Sequence, residues 1–138
     1  MNFIDAILNL AAVLLWLQWR SLRTSKPTAP IKSFIALLQP TDKIFMDGEY
    51  ANASSVRFYT GQQIYVLNGR VNGLWYGSLF PDSPPIFFGD AQFAKVWGGS
   101  SRIYLITRNE KNREILAPVA PVYLITKSAD RYVFSNRP

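Results

Sequence analysis

The chain of 138 residues contains no cysteine and no histidine. Without cysteine it can form neither a disulfide nor a thiolate metal site. Without histidine it can have no Ser-His-Asp or Cys-His catalytic set, no histidine-ligated zinc and no ordinary pH switch. Together with the membrane-like start described below, these absences make a soluble metabolic enzyme the least favoured class. The sequence predicts no metal site and no cofactor.

Acidic residues are few compared with basic ones: 9 Asp and Glu stand against 15 Lys and Arg, giving a formal net charge of +6. Part of this excess directly follows the most apolar stretch, at Arg20, Arg23, Lys26 and Lys32. That position is typical of a membrane flank. The other charges alternate in sign, with neither a Lys/Arg-rich run nor a ribonucleoprotein motif, so we expect no nucleic-acid partner.

The amino-terminal segment is the most apolar part of the chain. Residues 3–19 are mostly Leu, Ile, Val, Ala and Trp, without Pro or Gly, which is about the shortest length that can span a bilayer. Trp16 and Trp19 are placed as in an interfacial aromatic belt, and Arg20 can reach the headgroups. The sequence therefore predicts a transmembrane helix over residues 1–23.

Polar residues in this segment recur at helical spacing and form one stripe, which we interpret as a face for another membrane helix. Two alternatives are a helix lying in the bilayer interface and a soluble amphipathic helix or secretory signal. A signal is disfavoured because the start lacks Lys and Arg and no small-x-small cleavage site follows. The stripe consists of Asn2, Asp5, Asn9, Trp16, Arg20 and Arg23.

Residues 24–30, "TSKPTAP", form a polar linker with two prolines. Residues 31–138 alternate strand-like and helix-like stretches, which predicts a soluble α/β domain: a small layered open sheet of about five strands. The apolar runs of the first four strands predict a sheet covered on both faces, and the last two strands predict an antiparallel hairpin. The predicted strands are "KIFMD", "QIYVLN", "RIYLIT", "PVYLIT" and "RYVFS", and the predicted helices are "IKSFIALL", "ANASSVRFYTG", "DAQFAKVWGG" (with Asp90 as N-cap) and "NEKNREIL".

Between the second and third of these strands lies "GLWYGSLFPDSPPIFFGD", residues 73–90, which we call the aromatic segment. Gly and Pro interrupt it so often that we expect no regular element. In one interpretation its rings fold back to cap an under-sized core. In the other they form an exposed patch that contacts a membrane surface or a partner's loops. The candidate contact residues are Trp75, Tyr76, Phe80, Phe87 and Phe88.

Three further residues are candidates for ligand binding. Asp47 and Glu49 follow the first strand, and ligands of open α/β sheets bind beyond the carboxyl ends of strands. They could bind a cation or a sugar hydroxyl, or form a solvated turn with Glu49 starting the next helix. Near the end of the chain, Arg137 could hold a phosphate or a carboxylate, or could, with Asn136, tie the chain end to the domain. Residues 68–73, "NGRVNG", read as a turn whose Gly and Asn adopt positive φ.

The order and spacing of several short motifs resemble the C-terminal soluble domain of a family of bacterial integral-membrane glycosyltransferases. The family is the superfamily of dolichyl-phosphate-mannose protein mannosyltransferases and aminoarabinose lipid A transferases. The resemblance covers residues 31–138. Its most specific parts are Phe58-Tyr59 followed by Gly61, Tyr76-Gly77-Ser78, Phe93 with Trp97, and the ending Ser135-Asn136-Arg137-Pro138.

The resemblance implies descent from enzymes that have many transmembrane helices and take a sugar from a polyprenyl-phosphate carrier outside the cytoplasm. Their catalytic acidic residues lie in an early loop of the membrane part. This chain has at most one membrane helix and lacks that part, and Asp5 lies in the wrong context to replace it. We therefore expect no catalytic residue here.

The predicted protein is a single-pass protein of the bacterial inner membrane. We expect it to be a non-catalytic accessory or binding subunit of integral membrane proteins, among them a multi-span glycosyltransferase. Alternatives are a split half or fragment of such an enzyme, and a structural subunit of an unrelated membrane assembly. The resemblance implies a periplasmic domain, and we expect that location, although the basic residues after the apolar segment favour the cytoplasmic side.

Overall fold

A computed structural model describes residues 29–71 and 73–138, and they form a mixed α/β sheet of six strands in the order β3-β2-β1-β4-β6-β5. The first four strands of the chain run parallel, and β5 and β6 form an antiparallel hairpin beside β4. The strands are β1 (Lys43–Asp47), β2 (Ile64–Leu67), β3 (Phe87–Phe88), β4 (Ile103–Thr107), β5 (Tyr123–Ser128) and β6 (Arg131–Ser135).

Short helices connect the strands. They are α1 (Ala29–Leu37), the 3-10 turn η1 (Tyr50–Ala53), α2 (Ser54–Thr60), α3 (Gly73–Gly77), α4 (Asp90–Trp97) and α5 (Asn112–Leu116). Among the residues that the structure describes, no helix has the length and apolar character needed to cross a bilayer. The predicted membrane segment, residues 1–23, lies outside the described residues, as do Asn2, Asp5, Asn9, Trp16 and Arg20.

Alternating side chains of the strands build a core on each face of the sheet. On one face Ile44, Met46 and Tyr104 pack with residues of α1 and α2, among them Phe34 and Val56. The opposite face carries Phe45, Leu105 and Phe134, covered by Phe93 and Trp97 of α4 and Leu116 of α5. Because both faces are covered, β4 is buried along its whole length.

The α/β class and the carboxy-terminal hairpin are confirmed, and three details of the prediction are wrong. The sheet has six strands, because Phe87–Phe88 pairs with the end of β2. The aromatic segment therefore contains regular structure, including α3. Only part of β5 is covered, since it is an edge strand and Tyr123 and Leu124 are exposed.

Two turns at one end of the sheet depend on unusual backbone positions. Gly48, after β1, has φ of 96°, and Asn68, after β2, has φ of 53°. Gly69 does not have positive φ, contrary to the prediction for this turn. Glycine is required at position 69 for a steric reason, since a Cβ there would lie 2.0 Å from the carbonyl oxygen of Gly48. The helix α4 likewise begins one residue earlier than predicted, with Gly89 as N-cap and Asp90 as its first residue.

One buried phenol has no hydrogen-bond partner among the described residues: the hydroxyl of Tyr104. Burial raises the pKa of Tyr104 above its ordinary value of 10.0, and the positive charge of Arg102 opposes this rise. The guanidinium of Arg102 lies 5.2 Å from the centre of the Tyr104 ring. The ring therefore stabilises the core by packing, while its hydroxyl contributes little.

We expect Tyr104→Phe to leave the free energy of unfolding unchanged or to raise it by up to about 1 kcal/mol, because no hydrogen bond is lost. The folded-state pKa is raised, so the contribution of Tyr104 is constant below pH 10 and falls as pH rises through that pKa. Urea unfolding at pH 8 and at pH 10.5 should show a smaller alkaline loss in the variant. A destabilised variant would reveal a hydroxyl contact, and Tyr76→Phe, at an exposed ring, is the matched control.

Candidate functional site at the carboxyl edge of the sheet

The parallel strands create a crevice where the chain reverses its direction across the sheet. From β1 the chain adds β2 and β3 on one side, and then crosses to β4 on the other. In open α/β sheets, ligands bind at such a reversal, beyond the carboxyl ends of the strands. Here that position lies between the ends of β1 and β4, at Asp47 and Thr107.

A hydrogen-bonded polar cluster occupies this position. The hydroxyl of Thr107 donates to Oδ2 of Asp47 at 2.7 Å, and Nδ2 of Asn112 donates to the same oxygen at 2.9 Å. Thr107 also accepts from Nδ2 of Asn112 at 3.0 Å and from the backbone N–H of Asn109 at 2.9 Å. The cluster therefore connects the end of β1 to the turn after β4.

Asp47 and Glu49 do not form a shared ligand set with a third acidic residue. Among residues 29–71 and 73–138, no group of three His, Cys, Asp or Glu side chains is arranged to hold a metal ion. Glu49 is the N-cap residue of η1, as its position after the first strand predicts. The carboxylate of Asp47 is directed at Thr107 and Asn112, so this edge offers hydrogen-bonding groups that are already paired.

A second polar pair lies beside the next strand of the sheet. Nδ2 of Asn68, at the end of β2, donates to Oδ1 of Asp90 at 2.7 Å. The guanidinium of Arg70 lies 5.5 Å from the ring centre of Phe87. A cavity of about 410 Å³ lies here, with Asn68, Arg70, Phe87 and Gln92 among its lining residues.

Two other cavities lie at this end, one on each side of the sheet. The first, of about 390 Å³, lies beside α2 and the β5–β6 turn and is lined by Phe34, Ser55 and Arg131, among others. The second, of about 330 Å³, lies between α4 and α5 and is mostly apolar. Concave surface is thus present at the end of the sheet where binding is expected from topology, but it is not confined there, since a cavity of about 480 Å³ lies at the amino end, with Thr41 and Gln62 among its lining residues.

The aromatic segment also belongs to this end. Phe87 and Phe88 of β3 pair with Val66 and Leu67, the last two residues of β2. The chain therefore leaves and rejoins the sheet at the carboxyl end of β2. Internal hydrogen bonds make the segment compact, for example from Ser78 Oγ to the Trp75 carbonyl at 2.8 Å.

The structure divides the five aromatic candidates into two groups. Trp75, Tyr76 and Phe80 are exposed, to 49%, 73% and 63%. Phe87 and Phe88 are half-buried in the sheet, and Phe88 meets the ring of Phe45 edge-on at 5.1 Å. The exposed group also includes Leu79, at 60%. We call Trp75, Tyr76, Leu79 and Phe80 the aromatic patch.

Arg137 lies away from these groups, next to the start of β4. It donates to the backbone carbonyl of Ser100, while the neighbouring Asn136 is buried and makes three side-chain hydrogen bonds. This arrangement corresponds to the interpretation in which these residues tie the chain end to the domain.

Sequence reasoning did not identify Thr107, Asn112 or Leu79. Thr107 reads as the last residue of an apolar strand and Asn112 as part of a charged surface helix. They become partners of Asp47 only because the fold brings the ends of β1 and β4 together, and no local spacing in the sequence predicts this contact. Leu79 could have been found because it directly precedes Phe80, in the same uncharged stretch as Trp75.

Comparison with known proteins gives a structural match only. No protein-family model and no curated protein matches the chain. The fold is similar to part of ArnT. The crystal structure of ArnT from Cupriavidus metallidurans bound to undecaprenyl phosphate matches with a TM-score of 0.55 and 17% identity, covering 76% of this chain. The apo structure of the same protein matches with a TM-score of 0.55 and 19% identity.

The match involves a small part of the larger protein. This chain covers 18% of the ArnT structure with undecaprenyl phosphate and 19% of the apo structure. At these identities the similarity concerns the fold alone: the α/β domain has the architecture of part of ArnT. This agrees with the resemblance found in the sequence at the level of the fold.

Proposed function

We propose that this protein is a non-catalytic accessory or binding subunit of a membrane complex, built around a glycosyltransferase-like α/β domain. The observation that carries the proposal is the match between 76% of this chain and less than a fifth of ArnT, which was crystallised with undecaprenyl phosphate. Residues 31–138 would correspond to the C-terminal soluble domain of such enzymes. Residues 1–23 would be the membrane anchor, with Asn2, Asp5, Asn9, Trp16 and Arg20 facing a partner helix.

The polar groups of the carboxyl edge support binding or structure in preference to chemistry. Asp47 is held by Thr107 and Asn112, and Asp90 by Asn68. General acid or base work requires a group aimed at substrate with a partner that tunes it, and these side chains are aimed at one another. Asp47, Glu49 and Arg137 remain proposed ligand contacts for a sugar hydroxyl, a cation or a phosphate.

The matched ArnT structure is bound to undecaprenyl phosphate, a long-chain lipid, and as part of the proposal we assign the present chain to the inner membrane. The domain would lie on the periplasmic side, with integral membrane proteins as partners. The small share of ArnT covered favours a second candidate, in which this chain is one part of a glycosyltransferase whose remainder is a separate polypeptide. A structural subunit of an unrelated assembly is the third.

The test is purification of the full chain from its native membranes in mild detergent, followed by mass spectrometry with quantified stoichiometry. We expect a multi-span glycosyltransferase in fixed ratio, and transfer from a polyprenyl-phosphate sugar by the complex but not by the chain alone. As a control, Asn9→Leu should weaken the association if the polar stripe is the docking face. The matched change Leu10→Ile should not.

Each of the other possible results would support a different function. Transfer by the chain alone would contradict the non-catalytic role. A partner enzyme that lacks its own soluble domain would favour the split enzyme. A stable complex without any glycosyltransferase would overturn the link to sugar chemistry and leave a structural subunit.

A further inference from the structure

The direction of α1 determines where the amino-terminal segment approaches the domain. The five residues between Leu37 and Lys43 turn the chain from α1 into β1. At this turn the carbonyl of Gln39 accepts a hydrogen bond from Gln62, which precedes β2. Gln39 therefore lies at the amino edge of the parallel strands, and α1 runs antiparallel to β1. Its first residue, Ala29, points back to the carboxyl edge.

The lengths of the elements agree with this placement. The nine residues of α1 extend roughly 13 Å, and the five residues of β1 roughly 16 Å. The preceding chain thus joins the domain near the level at which β1 ends. This is the same end of the sheet at which the aromatic segment leaves β2 and returns as β3.

The aromatic patch has the composition of a bilayer-interface contact. Residues 71–81 contain no charged side chain, so a headgroup region would not need to desolvate a charge there. Trp and Tyr favour the interface because each has an apolar body and a polar tip. Trp75 and Tyr76 belong to α3, and Leu79 and Phe80 lie in the turn that follows it, so four exposed apolar side chains fall within six consecutive residues.

The linker is too short to hold this edge far from a membrane. Between the predicted end of the membrane segment at residue 23 and Ala29 there are five residues, which reach at most roughly 20 Å when fully extended. A bilayer that contains residues 1–23 would therefore lie within roughly 20 Å of Ala29. Both the start of α1 and the aromatic segment thus lie at the carboxyl end of the sheet, although α1 contacts β5 at one lateral edge and the aromatic segment joins β2 and β3 at the other.

We propose that the aromatic patch, formed by Trp75, Tyr76, Leu79 and Phe80, inserts into the interface of the same bilayer that anchors the chain. This inference rests on the membrane anchoring in the proposed function and adds an orientation to it. The domain stands with the carboxyl edge of its sheet on the lipid surface. The cavities lined by Arg70 and by Arg131 then open next to the headgroups.

The test uses the full chain, in which any introduced cysteine is the only one. An environment-sensitive fluorophore is attached at Phe80→Cys, and the protein is reconstituted in lipid nanodiscs with nitroxide quenchers at the headgroup or the upper acyl chain. Phe58→Cys is the matched control, since Phe58 is an 82% exposed aromatic residue in α2, outside the patch. Thr41→Cys reports on the amino edge, and Ala12→Cys on the anchor.

We expect at least threefold more quenching at position 80 than at positions 58 and 41, together with strong quenching at position 12. Quenching at 12 with none at 80 would overturn the orientation and leave the anchoring intact. Absence of quenching at 12 would remove the anchoring, and the inference would fall with it. If the fluorophore at position 80 were shielded from water in native membranes but not in pure lipid, the patch would contact a protein partner, and the lipid assignment would be wrong.

A second variant separates insertion from folding. Tyr76→Ser/Phe80→Ser changes two exposed side chains and should leave the melting temperature within about 2 °C of wild type. In this variant, a fluorophore at the neighbouring Leu79→Cys should lose at least half of its quenching by lipid. Unchanged quenching would mean that the patch is near the bilayer without inserting into it.

Discussion

Gly69→Ala is expected to lower the free energy of unfolding by roughly 3 kcal/mol, which for a domain of this size is a fall in melting temperature of roughly 10–20 °C. A Cβ at Gly69 would lie 2.0 Å from the carbonyl oxygen of Gly48 and 2.0 Å from Cγ1 of Val66. Val66 could change rotamer, but the oxygen of Gly48 belongs to the backbone. The turns after β1 and β2 would have to separate.

These turns have little freedom to separate. The N–H of Gly48 donates to the carbonyl of Leu67 at 2.9 Å, and the N–H of Asn68 donates to the carbonyl of Phe88 at 3.0 Å. Moving Gly69 away from Gly48 strains both bonds, and with them the join between β1, β2 and β3. The variant should therefore disturb the base of the aromatic segment as well as global stability.

Thermal and urea unfolding of the full chain measure the effect, and Gly77→Ala is the matched control. A Cβ at Gly77 meets no atom within 4 Å and its φ is not in the left-handed region, so this change should be neutral or stabilise by up to about 1 kcal/mol. If Gly69→Ala stayed within 1 kcal/mol of wild type, the contact between the two turns would not constrain the fold. Equal losses in both variants would point to backbone entropy instead.

The strands and the layers of this fold could be predicted because their signal is local. "KIFMD" and "RIYLIT" are short apolar runs, and each became a parallel strand buried on both faces. The hairpin followed from two such runs separated by polar turn residues. β5 was predicted from the same kind of run, yet an edge strand has only one neighbour, and composition alone does not reveal which strand lies at the edge.

The short strand β3 could not be predicted for a related reason. Phe87–Phe88 has two residues and becomes a strand only because the end of β2 is available beside it. The ring of Phe88 packs on Tyr65 of β2 and on Phe45 of β1. Tertiary contacts decide the conformation of β3. The preceding prolines and glycines correctly predict turns, but they give no indication that Phe87–Phe88 pairs with β2.

At the candidate site, the sequence indicated the right edge and missed the partners. Asp47 was found because it lies at the end of a buried strand, and its role as a hydrogen-bond acceptor follows from the chemistry of a carboxylate. Thr107 and Asn112 are 60 and 65 residues away in the chain. Their contact with Asp47 follows from the order of strands, in which β1 lies between β2 and β4, so that the ends of β1 and β4 are adjacent. That order was not encoded in any motif.

Asn136→Ala is expected to lower the free energy of unfolding by roughly 2–4 kcal/mol, although only two residues follow Asn136 in the sequence. Its Oδ1 accepts from the backbone N–H of Ile103 at 2.9 Å. Its Nδ2 donates to the carbonyls of Trp97 at 2.9 Å and Ser101 at 3.0 Å. One amide thus connects the end of α4, the following turn and the start of β4.

The loss is large because the groups left behind are buried main-chain groups. The carbonyl of Trp97 belongs to the last turn of α4, where no further helical N–H is available to it. Alanine offers neither a donor nor an acceptor, and the site is too enclosed for water to serve all three groups, since Asn136 is only 6% exposed. The adjacent Arg137→Ala removes an exposed contact with Ser100 and should cost less than about 1 kcal/mol.

Asn136→Asp tests whether hydrogen bonding, and not packing, explains the effect. The shape is kept, but at neutral pH the group that donated to two carbonyls becomes an acceptor, so we expect a loss comparable to that of Asn136→Ala. At acidic pH a protonated carboxyl can donate once, so the difference from wild type should shrink as pH falls. Urea unfolding at pH 4 and pH 7 measures this change, and a difference independent of pH would assign the role of Asn136 to packing.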